Sequence, residues 1–318
     1  LPEGGWECMC RLGGVALGTG QRSPAFYGML SAQLAELLIN MDVAQGGDGV
    51  GVAVHYADGS YRLFKSPKRA WDAYRQWWDD VEAALPGAVA VQMHARLATQ
   101  GSSEDPNNLH PIVRGPIVGA HNGIIWNDVE IFEYLEAERQ GKVDSEAIFA
   151  LLERYAPDLN MEGVQVVAEC LEGSFAFTAM SQQAPGRVLL VAGNGQLCYA
   201  RSKATNTVWW ASTEALLPKS ARRGATIVRM GLGDALIVDA SQAAPSIHLE
   251  ELPNVDHAGW SYYRYLDDYE GWLWADGRSG TAGRAADPAT SYRDWDRRVI
   301  AWEEAHRQPR NRHNRRRR

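Results

Sequence analysis

The sequence predicts a layered domain that mixes helices and strands. Short apolar runs recur at residues 49–56, 61–64, 88–93, 117–118 and 175–180, with the length and composition of core strands. Two other stretches carry helical spacing, 31–40 through its leucines and 71–85 through an aromatic stripe. At 318 residues and 45% apolar content the chain can bury a full core, as one large domain or one domain with an appendage. Strands interleaved with a few helices imply sheet faces covered by helices.

Each element has local support. Asp58-Gly59 separates the strands at 49–56 and 61–64 and predicts a hairpin. Trp71, Trp77 and Trp78 are read as one packed helix face. Residues 147–155 form an amphipathic helix behind Asp144-Ser145-Glu146, where Asp144 or Ser145 is suited to cap it. Residues 188–192 and 197–200, joined by Gly193-Asn194-Gly195, read as a second hairpin, and Trp209-Trp210-Ala211 as a late strand entering a turn. Taken locally, His121-Asn122-Gly123 is a turn signal, because Asn-Gly is a favoured hairpin pair.

Composition narrows the function classes. A net charge of −7 argues against a protein that binds nucleic acid over its whole surface. The four cysteines, at 8, 10, 170 and 198, form no CxxC pair. Cys170 and Cys198 sit in apolar contexts and read as buried thiols in a reducing cytosol. No 18-residue apolar run and no signal-peptide pattern occurs, so membrane insertion is not expected and the expected location is cytoplasmic. The character changes after about residue 250. Residues 251–306 form an aromatic and charged extension with a Gly/Ala-rich linker. Residues 307–318 hold seven arginines and no large apolar side chain. That tail is expected to be disordered, serving as an arm for nucleic acid or an acidic partner, or simply as a solubilising end.

Several residues carry chemistry. A thiol attacks as thiolate, and a free Cys with a pKa of about 8.5 is only a few per cent ionised at neutral pH. Were Cys10 the first residue of the mature chain, its α-amine, with a pKa of roughly 7.7–8.0, could accept the thiol proton without any histidine. Met9 lies immediately upstream. Residues 1–9 are therefore expected to be a misplaced start or a short propeptide, and their retention to leave the chain inert. The alternative for Cys10 is a small buried residue in a first strand. Arg96 ends the apolar strand at 88–93, and its guanidinium fork matches a carboxylate; its alternative is a surface ion pair. His94, His110 and His121 invite a metal reading, but their spacings fit no common zinc pattern. No metal and no cofactor is expected.

In order along the chain, Cys10-Arg11-Leu12-Gly13-Gly14, the string from His94 to Gly101 (HARLATQG), Asn108-Leu109-His110-Pro111, Gly119-Ala120-His121-Asn122-Gly123, Asp144, Glu172-Gly173-Ser174 and Ala211-Ser212-Thr213 resemble the markers of class II (N-terminal-nucleophile) glutamine amidotransferases. The resemblance covers about residues 10–240. Cys10, Leu12 and Gly14 fit the family's opening, whereas Cys8 would put Leu12 where its glycine belongs. Arg11, Leu97 and Gln100 depart from its usual Gly, Trp and His.

The resemblance implies an α+β fold, the αββα four-layer sandwich of N-terminal-nucleophile hydrolases, over residues 10–250. It implies Cys10 as nucleophile and Asn122 and Gly123 as oxyanion donors. Arg96, Thr99, Gln100, His121 and Asp144 would bind L-glutamine, with Arg96 on the α-carboxylate and Asp144 on the α-ammonium. No pyrophosphatase loop of the Ser-Gly-Gly-x-Asp-Ser type and no Walker loop occurs in the sequence. The expected acceptor of the ammonia is therefore a separate synthase. Two other functions stay open: hydrolysis of a substituted γ-glutamyl amide, and a catalytically silent homologue acting as a binding protein.

Overall fold

A computed structural model describes residues 10–252, except Thr99 and Asn194. The expected leader at 1–9, the extension at 251–306 beyond Leu252 and the arginine-rich tail at 307–318 lie outside the described residues. In chain order the elements begin with β1 (Arg11–Ala16), α1 (Pro24–Gln45), β2 (Val50–Tyr56), β3 (Tyr61–Ser66), α2 (Ala70–Ala84) and β4 (Ala88–Ala95). There follow β5 (Ile112–Arg114), β6 (Ile117–Ile125), α3 (Asp128–Tyr134), α4 (Glu146–Tyr155), α5 (Met161–Cys170), β7 (Gly173–Ser181) and β8 (Ala184–Ala192). The last are β9 (Cys198–Ser202), β10 (Thr207–Ala211), α6 (Lys219–Arg222), β11 (Thr226–Arg229), β12 (Asp234–Asp239) and β13 (Ser246–Glu251).

Two antiparallel sheets result. The first has the order β11-β9-β10-β1-β4-β2-β3 and the second β13-β12-β8-β7-β6-β5. One core lies between α1, α2 and the outer face of the first sheet, with Val15, Leu34, Leu38, Val52, Trp78, Val91 and Trp209 in it. A second core, including Leu12, Ala90, Ala120, Met180, Leu190 and Trp210, fills the space between the sheets. On the far side, α4 presses Phe149 onto Gly119 of β6, where an added Cβ would lie 1.9 Å from the ring. The mixed α+β, αββα layering implied by the resemblance is thus present. Glycine in β1 has a packing reason as well, since a Cβ on Gly14 would meet the Trp210 indole at 2.3 Å.

The helices are longer or more selective than their apolar spacing suggests. Ser23 caps α1 by accepting from the Phe26 N–H, and Pro24 occupies its first turn, so the helix starts well before residue 31. In α2 the aromatic stripe divides. Trp78 is 3% exposed and donates to Ser31 Oγ on α1 at 3.0 Å, whereas Trp71 is 52% exposed, stacked on Tyr74 beneath Arg75. The single packed face expected for Trp71, Trp77 and Trp78 is corrected accordingly: Trp71 is a surface residue, because α2 turns only one stripe toward the sheet.

The hairpin at Asp58-Gly59 forms as expected, with Gly59 at φ 84° and Asp58 accepting from Ser60. The hairpin expected across Gly193-Asn194-Gly195 does not. β8 is already paired on both sides, by β7 and β12, and β9 lies in the other sheet between β10 and β11. The connection crosses between layers, with the Gly193 and Gly195 N–H groups both donating to the Phe175 carbonyl. Cys170 and Cys198 are buried, as expected.

Candidate active site

Cys10 stands at the threshold of β1, opposite the end of β4, because Arg11 pairs with Ala95. The strand that carries the thiol therefore runs beside the one that delivers Arg96. Its Sγ is gripped by one peptide unit across the ladder. The Leu97 N–H donates to Sγ at 3.2 Å, and the thiol donates to the Leu97 carbonyl at 3.2 Å. Burial pushes the Cys10 thiol up to about 11; the Leu97 N–H and the Arg96 charge oppose that rise, and the Asp144 charge adds to it. The same electrostatics identify the neighbours of the sulfur, a guanidinium and a carboxylate.

Arg96 is buried, and its backbone N–H donates to the Gly49 carbonyl at 2.8 Å. Its guanidinium turns into the following loop. It donates to Ser103 Oγ at 2.5 Å, to the Gly101 carbonyl at 2.9 Å and to the Gln100 carbonyl. Gln100 thus enters through its backbone, with the residue exposed. Thr99, between them, is outside the described residues. Asp48 braces this loop from the glycine-rich turn after α1: Oδ2 accepts from Ala98 N–H at 2.8 Å, and its own N–H donates to the Arg96 carbonyl at 3.1 Å.

The second sheet contributes β6. His121-Asn122-Gly123 lies inside this strand, paired with Phe177, Ala176 and Phe175 of β7, and not in the turn expected from its composition. Strand alternation then sends the His121 and Asn122 side chains to opposite faces. Ala120 packs between the sheets, so Asn122 shares that face, and His121 points to the helical side. There its Nδ1 meets Ser145 Oγ at 2.8 Å and its Nε2 the Ser174 carbonyl at 3.3 Å. A carbonyl only accepts, so Nε2 carries the proton and Nδ1 accepts from Ser145. Burial holds His121 down at about 4, a neutral imidazole at physiological pH. Through these two bonds His121 ties β6 to Ser145 and to the Ser174 carbonyl. Gly123 has φ 144°, and a Cβ there would come within 1.8 Å of the Ser174 carbonyl oxygen. Only glycine fits such a backbone.

Asn122 Nδ2 approaches Ser212 Oγ at 3.4 Å, while its Oδ1 has no partner among the described residues. Asp144 is buried and accepts from the Ile125 N–H at 2.6 Å at the end of β6. Burial raises its carboxyl to about 6 against the Ile125 bond, which lowers it. The cap expected for α4 is corrected: Ser145 occupies the cap position without a side-chain cap bond. Both candidate cap groups, the Asp144 carboxylate and the Ser145 hydroxyl, are instead engaged by β6. His94 donates through Nε2 to the His121 carbonyl at 3.1 Å and lies against His110, tilted by 37° with 4.1 Å between ring centroids. Burial lowers the pKa of both rings. Among the described residues no group of three or more potential ligands gathers around one point, and no helix is long and apolar enough to cross a membrane.

The fold therefore brings Cys10, Arg96 and Asp144 into mutual electrostatic range, with Asn122 and Gly123 on the facing sheet. Sequence reasoning did not reach four participants: the Leu97 peptide unit, Asp48, Ser103 and Ser212. Asp48 carried a usable signal in Gly46-Gly47-Asp48-Gly49, and Ser212 in the Ala-Ser-Thr marker after β10. A main-chain contact such as that of Leu97 has no sequence signature.

A family described as a glutamine amidotransferase domain matches residues 94–219. The chain is similar to a 7-cyano-7-deazaguanine synthase of Saccharolobus solfataricus, 24% identical over 206 residues, covering 65% of this chain and 43% of that protein. It is similar also to a glutamine–fructose-6-phosphate aminotransferase (isomerizing) of Methanothermobacter thermautotrophicus, 32% identical over 156 residues, covering 46% of this chain and 25% of the relative. The chain thus spans less than half the length of these curated relatives. Among solved structures, a glutamine phosphoribosylpyrophosphate amidotransferase from B. subtilis shares the fold, with TM-score 0.55 and 17% identity over 77% of this chain and 50% of the other.

Proposed function

We propose that this chain carries a class II, N-terminal-nucleophile glutamine amidotransferase domain, which hydrolyses the side-chain amide of glutamine and passes the ammonia to a separate acceptor synthase. The observation that carries this reading is the position of the Cys10 sulfur, held at 3.2 Å by the Leu97 peptide with Arg96 and Asp144 as its charged neighbours. A zwitterionic amino acid presents a carboxylate and an ammonium, and this pair of opposite charges matches it. Arg96 takes the α-carboxylate in place of the Gln100 and Gly101 carbonyls, and Asp144 takes the α-ammonium. The side-chain amide then reaches the thiol.

Cleavage before Cys10 frees its α-amine, which accepts the thiol proton. The thiolate attacks the amide carbon, and the new C–S bond drives the carbonyl electrons onto oxygen. Asn122 Nδ2 and the Gly123 N–H stabilise that oxyanion. Collapse breaks the C–N bond, and the protonated α-amine hands its proton to the departing ammonia. Water, deprotonated by the same amine, attacks the thioester, releasing glutamate and restoring the thiol. Burial raises the thiol to about 11, so a base within reach of the sulfur is a requirement of the chemistry. The synthase and aminotransferase names of the relatives support an ammonia acceptor. Nothing comparable supports a nucleic-acid partner.

The test is intact mass and N-terminal sequencing of protein from its native host, paired with ammonia release from glutamine. A chain beginning at Cys10 that releases ammonia, and loses this with Cys10→Ala, is the expected result. A processed Cys10 that ignores glutamine but cleaves a substituted γ-glutamyl amide would overturn it. An intact leader with no turnover would overturn it in favour of a silent binding protein.

A further inference from the structure

Ser212 sits one residue beyond β10, buried, where the first sheet meets Asn122 of the second. Its N–H donates to the Leu12 carbonyl at 3.0 Å, and its Oγ accepts from the Leu12 N–H at 3.0 Å. The two bonds extend the β1–β10 ladder by one step and fix the hydroxyl beside β1, whose first residue follows Cys10. The Leu12 carbonyl lies 3.4 Å from Oγ, within reach of the hydroxyl proton. What remains on Oγ is an acceptor lone pair, and Asn122 Nδ2 meets it from the other sheet at 3.4 Å.

We propose that Ser212 is a positioning residue that sets which end of the Asn122 amide serves the oxyanion. This rests on the glutamine-hydrolysis reading above. An Asn amide turned by 180° would present its oxygen to a developing negative charge and repel it. With its proton on the Leu12 carbonyl, Ser212 accepts from the NH₂ end, whereas an oxygen end would have to draw that proton away from Leu12. Asn122 Oδ1 has no partner among the described residues, so no other hydrogen bond described there chooses the orientation. At 3.4 Å the contact is long, and its value is directional: one Nδ2 hydrogen goes to Ser212, leaving the other for substrate. Through Leu12 the same hydroxyl ties that donor to the strand carrying Cys10, two residues away.

Four enzymes beginning at Cys10 test this: Ser212→Ala, Ser212→Thr, Asn122→Ala and the Ser212→Ala/Asn122→Ala double variant, each assayed for ammonia release. Ser212→Ala should lower kcat about tenfold, the size of one lost hydrogen bond, with KM for glutamine within about twofold. Ser212→Thr keeps the hydroxyl and should restore kcat. Asn122→Ala should cost roughly 10²–10³, and the double variant should be no slower than Asn122→Ala alone. Losses that multiply in the double variant, or a Ser212→Ala effect confined to KM, would overturn the proposal. Should Ser212→Ala fail to fold, Ser212→Cys takes its place with the same expectation, the thiol being a weak acceptor.

A second readout is independent of turnover: the side-chain NH₂ signals of ¹⁵N-labelled Asn122, expected to be protected from exchange in the parent and unprotected in Ser212→Ala. Unchanged protection overturns the proposal. A parent enzyme inert toward glutamine with Asn122 still protected would instead fault the substrate reading and leave the Ser212–Asn122 tie standing.

Discussion

Replacing Asp144 by Asn should make the protein more stable and a poorer enzyme at once. Asp144 is buried, and its carboxyl is raised from 3.8 to about 6 chiefly by loss of solvent. At pH 7 it is ionised in both folded and unfolded chains, and the folded chain bears the cost of holding the charge. Two pKa units at 1.36 kcal/mol each put that cost at about 3 kcal/mol. The sign follows from proton binding. The folded state holds the proton more tightly between pH 3.8 and 6, so the charge penalty is complete above about 6 and vanishes as pH falls below about 4. Asn has no charge to bury and keeps an oxygen for the Ile125 N–H. Urea unfolding at pH 7.5 should show Asp144→Asn more stable by about 1–3 kcal/mol, with the gain falling to about a third of that near pH 4.5 and toward zero below about pH 4. Under the proposed function the same variant loses the partner of the α-ammonium, and KM should rise by about tenfold or more. A variant destabilised equally at both pH values would refute the reasoning, because it would mean that the carboxylate is a net structural asset.

Three further outcomes follow from particular contacts. Gly123→Ala combines φ 144° with a Cβ 1.8 Å from the Ser174 oxygen; it should cost about 3 kcal/mol or more in a urea melt and abolish turnover, since β6 must shift. Arg96→Lys, assayed by steady-state ammonia release, should raise KM for glutamine by about tenfold while the thiol stays titratable, because an ammonium cannot form the bidentate pair. Trp78→Ala should cost roughly 3–5 kcal/mol in thermal or urea unfolding, whereas Trp71→Ala on the exposed side of α2 should cost less than about 1 kcal/mol. Equal losses at the two tryptophans would contradict the division of the aromatic stripe.

What the sequence determined by itself was local and chemical. Apolar runs located β2, β3, β4 and β7, and helical spacing located α1, α2 and α4, since period-two and 3.6-residue patterns are written in neighbouring residues. The strings around Cys10, Arg96, Asn122 and Asp144 resembled, in their order, the markers of one family before any contact was known. What only the tertiary structure decided was where the pieces meet. Gly193 to Gly195 reads as a hairpin turn, yet it joins two sheets, because a strand's partner is settled by which edges are already filled. Asn122-Gly123 reads as a turn and lies in β6, because pairing with β7 continues through it and Ser174 leaves room for no Cβ. Asp144 and Ser145 read as caps, but β6 offers their side chains the Ile125 N–H and the His121 ring. The Leu97 peptide grips the sulfur through main-chain atoms that every residue possesses. Ser212 reaches Asn122 from 90 residues away in sequence. Contacts of that range depend on sheet register and layer stacking, and no window of neighbouring residues contains them.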